Sequence, residues 1–406
     1  MTIKMRRLIA VGLAIASPVA AMASDAWPQF RGPDGAAISH SAGLPDSINV
    51  DENLRWKAEL PGRGVSCPVV FNGKIFLTAN SGMDMTRLHA LALDQATGKK
   101  LWERTFWSTG QTLCHPKTCM ACPTMTVDAA GVYAAFATGD LVGLSHDGDV
   151  RWVRSISSEF PKMANHVGRS SSLVLGGGVL GVLMENQGES YLFGIDPATG
   201  ETKWKAARPL QNNWNTPLVQ LRGGGYEFVV SSYTDVAGYD AATGKIRWSF
   251  EEKQLNPIVS PVAAGEMLII SAFRGMFAIK PSGEKAETAW KGNQLSADTP
   301  TPVVANGKIY TISRSVLKCG NLVDGKQEWD LRVPGPSSAS PVFVDDKLYL
   351  VSEDGKVTVV KTGTEPTIVA KCELKETILA TPAIADGAIF FRSDKHLWCF
   401  GNKKAG

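Results

Sequence analysis

From Thr301 to Trp329 the chain alternates short apolar runs with turn residues. Thr301-Pro302-Val303-Val304 is followed by a turn at Asn306-Gly307, an apolar run from Lys308, a further run through Leu317, a turn at Asp324-Gly325 and a closing Trp329. Runs of this length, rich in β-branched and aromatic residues and bounded by Gly, Asn and Asp, predict strands. The stretch reads as one four-stranded antiparallel meander. Its apolar ends would leave both sheet faces wet if it stood alone. A unit that cannot bury its own faces has to stack on copies of itself.

The copies are present. First-strand openings fall at Ser66-Cys67-Pro68-Val69, Ala121-Cys122-Pro123-Thr124, Ser170-Ser171-Ser172-Leu173, Asn215-Thr216-Pro217-Leu218, Ser260-Pro261-Val262, Thr301-Pro302-Val303, Ser340-Pro341-Val342 and Thr381-Pro382-Ala383. Proline is tolerated there because a strand's first N–H is not needed by the ladder. Tryptophans mark the fourth strands at Trp102, Trp152, Trp204, Trp248, Trp290 and Trp329, and the seventh repeat has Thr367-Ile368-Val369-Ala370 instead. The chain ends on three strands with no fourth, finishing at His396-Leu397-Trp398-Cys399-Phe400, whereas Asn53-Leu54-Arg55-Trp56-Lys57 is a fourth strand without its first three. Joining the two removes an open sheet edge. The expected fold is all-β: an eight-bladed β-propeller of four-stranded antiparallel blades, velcro-closed by the strand at Asn53–Lys57.

Turns between third and fourth strands share D-x-x-T-G, at Asp94–Gly98, Asp196–Gly200 and Asp240–Gly244. The Asp can accept from turn amides and the Gly supplies positive φ, so these acids are expected to shape the turn rather than bind metal. With T/S-P-V-V-x-N/D-G-K-I-Y before it, D-x-x-T-G-x-x-x-W resembles the pyrroloquinoline-quinone-type (PQQ-like) propeller repeat, over essentially Ser66 to Phe400. The opening Trp27-Pro28-Gln29-Phe30-Arg31-Gly32-Pro33 and His115-Pro116-Lys117-Thr118 are similar to exported bacterial proteins of this group. The resemblance implies one of two kinds of protein. One is the quinone-dependent alcohol and sugar dehydrogenases. The other is a scaffold, the propeller lipoprotein of the outer-membrane barrel-assembly machinery.

The first residues lie outside this pattern. Lys4, Arg6 and Arg7 precede an apolar run from Leu8 to Ala16, then Pro18 and Ala21-Met22-Ala23. That is the form of a cleavable signal peptide, with the cut expected after Ala23 and a periplasmic or secreted location. The export route stays open between the general and twin-arginine systems. No Cys stands at the cut, so no lipid anchor is expected. The division is then a signal peptide at 1–23, an ordered arm at 24–52 and the propeller at 53–402. Removing the three basic leader residues from the 42 in the chain leaves 39, against 39 acids, so the mature chain is formally neutral. A balanced charge supports neither a nucleic-acid partner nor a polybasic membrane patch. The mature chain is expected to be a monomer with no transmembrane segment.

Candidate chemistry gathers at one mouth of the propeller channel, where inter-blade loops and second-to-third-strand hairpins meet. The residues expected there are His115, Lys117, Asn165, His166, Arg169, Asn213, Trp214, Asn256, Arg274, Arg314 and Arg392. Cys114, His115, Cys119 and Cys122 are dense enough for a soft-metal site. In an oxidising compartment Cys67, Cys114, Cys119 and Cys122 are the disulfide candidates, and Cys319, Cys372 and Cys399 fit as small residues inside strands. A quinone cofactor needs a stacking platform, calcium ligands and a carboxylate base. The dehydrogenases of the resembling family also set an adjacent Cys-Cys disulfide against it. No two Cys are adjacent here, and no Asp/Glu pair can be assigned to those roles. The expected function is therefore a non-catalytic binding scaffold of the cell envelope, engaging a protein, peptide or polar ligand at the mouth and needing no cofactor. PQQ with calcium, or a metal on the Cys114–Cys122 cluster, belongs to the alternatives.

Overall fold

The computed structural model describes residues 25–45, 47–110, 113–162 and 168–402. The signal peptide expected at residues 1–23 falls outside the described residues. Within them the protein is an all-β propeller of four-stranded antiparallel units, each a meander in chain order except the one in which residues 54–59 join the strands at 383–401. The 303–332 sheet shows the unit: Val303–Ala305, Lys308–Ser313, Val316–Asn321 and Gln327–Arg332, each paired with the next. The first three strands are largely buried, whereas the fourth alternates between half-buried and exposed. First strands lie innermost and adjoin those of neighbouring sheets, so the core is a set of inter-sheet layers.

Leu54–Glu59 pairs antiparallel with His396–Gly401, setting Trp56 opposite Cys399 and Lys57 opposite Trp398. The sheets at 218–251 and 262–292 are also linked, through a parallel pairing of Ser249 with Lys285, into one eight-stranded sheet.

Each fourth-strand tryptophan lies across from a small third-strand residue. Trp152, Trp204 and Trp248 face Gly143, Gly194 and Gly238; Trp102 and Trp290 face Ala92 and Ala278; Trp329 and Trp56 face Cys319 and Cys399. A Cβ at Gly194 would fall 2.1 Å from Trp204 Cε2, so the indole occupies the space a side chain would need. Most of these indoles then reach the next sheet. Nε1 of Trp102, Trp152, Trp204 and Trp290 donates to the carbonyls of His146, Pro197, Ala241 and Leu322, each at 2.9 Å. Trp248 differs, donating to Glu227 of its own sheet. The 342–373 sheet, which lacks the tryptophan, sets Ala370 opposite Val359.

The turn acids act as expected. Asp94 Oδ1 accepts from the N–H and hydroxyl of Thr97 at 2.8 and 2.6 Å, and Asp240 Oδ1 accepts the same pair from Thr243 at 2.9 and 2.8 Å.

The arm crosses the end of the channel where first strands turn into second strands. Trp27 exchanges backbone hydrogen bonds with Val70, Pro28 O accepts from Val127, and Ile38–Ser39 adds a parallel strand to Val342–Val344. Ser41 Oγ accepts from Gly387 N–H at 2.7 Å. Trp27 and Arg31 are each 1% exposed, so the arm is part of the packed interior.

Candidate functional site

The first strands surround an axial cavity of about 450 Å³. Phe30, from the arm, lines it near the floor, while His115, Lys117, Trp214, Ile258 and Leu379 come from the loops that enter first strands. Backbone polar groups at strand starts are too near the axis to be left unpaired, and burial without a partner is costly. Their solution is a ring. Cys67 N–H donates to Thr124 Oγ1 at 2.9 Å, Thr124 N–H to Ser172 Oγ at 3.0 Å and Ser172 N–H to Thr216 Oγ1 at 3.0 Å. Thr216 N–H then donates to Ser260 Oγ at 2.9 Å, Ser260 N–H to Thr301 Oγ1 at 3.2 Å, Thr301 N–H to Ser340 Oγ at 3.0 Å and Ser340 N–H to Thr381 Oγ1 at 3.0 Å. The Cys67 thiol takes the remaining place, hydrogen-bonded to Thr381. The seven amide-to-hydroxyl bonds all run in the same sense around the axis.

The Ser-Pro and Thr-Pro openings carried this ring in plain sight. The periodic pattern showed them as strand starts, and only the closed geometry shows them as a belt. It also corrects an alignment. Thr124, two residues after Cys122, occupies the place that Cys67 holds in the sheet before it, so Pro123 and Pro68 are not equivalent positions.

Two fully buried guanidiniums stand behind the ring. Arg31 donates to the carbonyls of Thr301 at 2.9 Å and Pro302 at 2.5 Å. Arg392 donates to Ser66 O at 2.9 Å, to Ser66 Oγ and to Thr78 O at 2.6 Å. Neither is in an ion pair. Burial lowers Arg31 to about 9 and Arg392 to about 10, opposed by nearby cysteines and, for Arg392, by Asp394.

Of the residues expected at the mouth, His115, Lys117 and Trp214 line the cavity. Lys117 Nζ pairs with Glu353 at 2.6 Å, and Trp214 Nε1 donates to Gly168 O at 3.0 Å. Arg274 and Arg314 are exposed on hairpin tips away from the lining. Asn165 and His166 lie outside the described residues. Four others turn inward instead of facing a ligand. Arg392 supports the ring, and Arg169 donates to Ala137 O and Ser157 Oγ. Asn213 donates to Glu185 Oε2 and Ser231 O, and Asn256 to the carbonyls of Ala297 and Asp298. The reason is common to all four: irregular backbone near the axis leaves carbonyls needing donors, and these side chains supply them.

Glu185 belongs to a buried network. Arg208 donates to it through Nε, pairs with Asp235 at 2.9 Å and donates to Tyr239 Oη at 2.6 Å. Burial tends to discharge Arg208, but the two carboxylates outweigh it and hold the charge more firmly than usual. The paired Glu185 is thus committed to structure.

All seven cysteines are unbridged. Cys67 and Cys122 line the cavity, and the Cys114 thiol contacts Met120 Sδ at 3.9 Å. Burial raises the Cys119 thiol to about 11 and, with the neighbouring thiols of Cys119, Cys67 and Cys114, pushes Cys122 well above its ordinary value. Among the described residues no three of His, Cys, Asp and Glu converge as metal ligands. Nor is any helix there long and apolar enough to cross a membrane.

Three stretches of the chain, residues 47–189, 188–299 and 281–365, match the family model described as outer membrane protein assembly factor BamB. Two curated relatives carry that name. The one from Burkholderia pseudomallei is 23% identical over 273 residues, and the one from Shewanella oneidensis is 22% identical over 285 residues. The matches cover 66% and 68% of this chain, and the chain spans 66% of the length of each relative. Among solved structures, BamB from Moraxella catarrhalis superimposes with a TM-score of 0.64 at 14% identity, covering 87% of this chain and 98% of that one. The quinohemoprotein alcohol dehydrogenase from Comamonas testosteroni gives 0.71 at 14% identity, covering 95% and 82%. At such identity both likenesses speak to the fold alone.

Proposed function

This chain belongs to the outer membrane protein assembly factor BamB family, and from that premise we propose that it is a non-catalytic scaffold of the cell envelope. It would hold a protein partner during outer-membrane protein assembly. The observation that carries this is the family match from residue 47 to residue 365, which spans most of the propeller. We read the body as an eight-bladed propeller, velcro-closed by Leu54–Glu59, that works as a monomer on the periplasmic side.

The partner surface is the rim of the mouth. Leu113, Leu210 and Phe273 are 74%, 65% and 55% exposed, and Phe273 lies 6.0 Å from the ring of Tyr233. Large apolar side chains left in water near a channel mouth favour a protein contact over solvent. Crosslinking in intact envelopes from the rim, for example through a photoreactive residue at position 273, is expected to recover one specific envelope protein. Phe273→Asp should abolish the crosslink from a neighbouring rim position while leaving the melting curve unchanged. Dye reduction after reconstitution with PQQ and calcium would replace this function with that of a dehydrogenase.

A further inference from the structure

We propose that the axial cavity binds a small organic carboxylate, its charged end at the hydroxyl ring and its apolar body against Trp214, Ile258 and Leu379. This goes beyond the partner at the rim, which needs nothing inside the channel.

The lining residues include no Asp or Glu, and two of them, His115 and Lys117, are basic. The rim carboxylate Glu353 is already engaged, by Lys117 at 2.6 Å and by Ser338 Oγ at 2.7 Å. A cavity without acids, edged by bases, is selective for negative charge.

The ring adds directed donors. A hydroxyl has one O–H to give as well as lone pairs to receive. In Ser172, Thr216, Ser260, Thr301 and Ser340 a lone pair is used by the neighbouring backbone N–H. Among the described residues no protein atom takes the protons of these five hydroxyls. Convergent O–H donors around a central space are suited to an anion, because hydrogen bonds to a charged acceptor are the strong ones.

Behind the ring, Arg31 and Arg392 are each 1% exposed and reach only neutral acceptors. Nε of Arg392 has no hydrogen-bond partner. The nearby Asp394 is paired to Arg63 at 3.3 Å. Buried charge that lacks a counter-ion is costly, and an anion in the cavity would offset it. Inorganic oxyanions meet the polar half of this description only. Val65, Trp214, Ile258, Leu379 and Phe30 make the rest of the wall apolar. A cavity of about 450 Å³ suits a compact ligand with an apolar body.

The test is calorimetric titration of the full mature chain with 4-methylbenzoate and, separately, its neutral isostere 4-methylbenzamide. The acid is expected to bind one to one, and the amide at least about tenfold more weakly, as loss of charge-assisted hydrogen bonds requires. Thr216→Val keeps the side-chain shape and removes a ring donor, so it should weaken the acid about fivefold or more. Lys117→Gln lies at the exposed edge, where folding is not at stake, and leaves Glu353 uncompensated. It should weaken the acid severalfold and flatten the salt dependence. Equal affinity for acid and amide, no binding of either at millimolar concentration, or an affinity unmoved by Lys117→Gln and by a folded Thr216→Val would each overturn the proposal.

Discussion

The indole Nε1 of Trp56 donates to the carbonyl of Gln95 at 3.1 Å, while a Cβ on Gly98 would fall 2.5 Å from Trp56 Cε3. One side chain thus sews the N-terminal strand to the 383–401 strands it joins and docks it on the turn of the 69–107 sheet. The D-x-x-T-G glycine therefore has two jobs: it takes φ of 71° and it leaves room for the neighbouring indole. Gly148, Gly200 and Gly244 stand in the same relation to Trp102, Trp152 and Trp204.

Gly200→Val should accordingly destabilise the fold through both backbone strain and the lost indole seat. Trp204→Ala removes the other half of such a contact. Large-to-small substitution of a fully buried aromatic costs about 3–5 kcal/mol, and Trp204 is half-buried, so the melting temperature should fall by several degrees. Calorimetry on both variants checks this; melting curves that match the parent would refute the docking.

Glu376 links three parts of the closing sheet. It accepts from Lys57 at 2.9 Å, from Ser393 Oγ at 2.5 Å and from His396 Nδ1 at 2.9 Å. Burial raises this carboxyl, but the bonds from Ser393, His396 and Lys57 outweigh it and hold the group at about 2, below the usual 4.5. A depressed carboxylate stabilises the fold above its unfolded value and loses that contribution as it protonates. The pairing of Leu54–Glu59 with His396–Gly401 should therefore weaken as pH falls from about 4.5 toward 2. Denaturant titrations across that window should show a smaller pH dependence for Glu376→Gln than for the parent.

Arg208→Met would leave Glu185, whose side chain is fully buried, without its cation. Breaking a buried pair from one side costs roughly 3–5 kcal/mol, whereas removing both charges is far milder. The double variant Arg208→Met with Glu185→Gln is expected to recover part of the loss in a thermal melt. Equal losses in single and double variants would show that the two charges are not coupled.

Thiol reactivity should separate the cysteines by position. Cys319 and Cys399 are buried opposite tryptophans and raised by burial to about 12, and Cys119 to about 11. Cys114 and Cys372 are half-exposed. Alkylation of the folded protein near pH 8 should label the second group first, since only the thiolate reacts. Unfolding without reductant should then expose the full seven thiols; two fewer would reveal a bridge, with Cys67 and Cys122 the pair to examine by mass spectrometry.

The fold was legible because its signals repeat. Tryptophan and, in most units, the strand-opening Pro mark the same place, D-x-x-T-G shapes three of the turns, and even Ala370 in place of tryptophan was visible as an omission. The candidate site was legible in part. Lys117 and Trp214 reach the cavity, but Arg392, Arg169, Asn213 and Asn256 do not face it. A polar residue in a hairpin or loop reads as wet, and nothing in its letters tells that an unpaired carbonyl of its own or the adjacent sheet will claim it. Cys67 and Cys122 each precede a strand-opening proline, yet backbone register sets Cys67 against Thr124. Register between distant strands is a property of the closed body, not of either strand alone.

The hydroxyl belt has a consequence for how such bodies change size. Because seven of the eight links join the amide of one unit to the hydroxyl oxygen of its successor, those junctions are interchangeable parts. Excising one whole meander, or splicing in another, would leave no orphaned donor at the scar. What polices the perimeter must then be curvature, the angle at which indole-bearing outer strands splay, rather than any chemical signature of a first or last member.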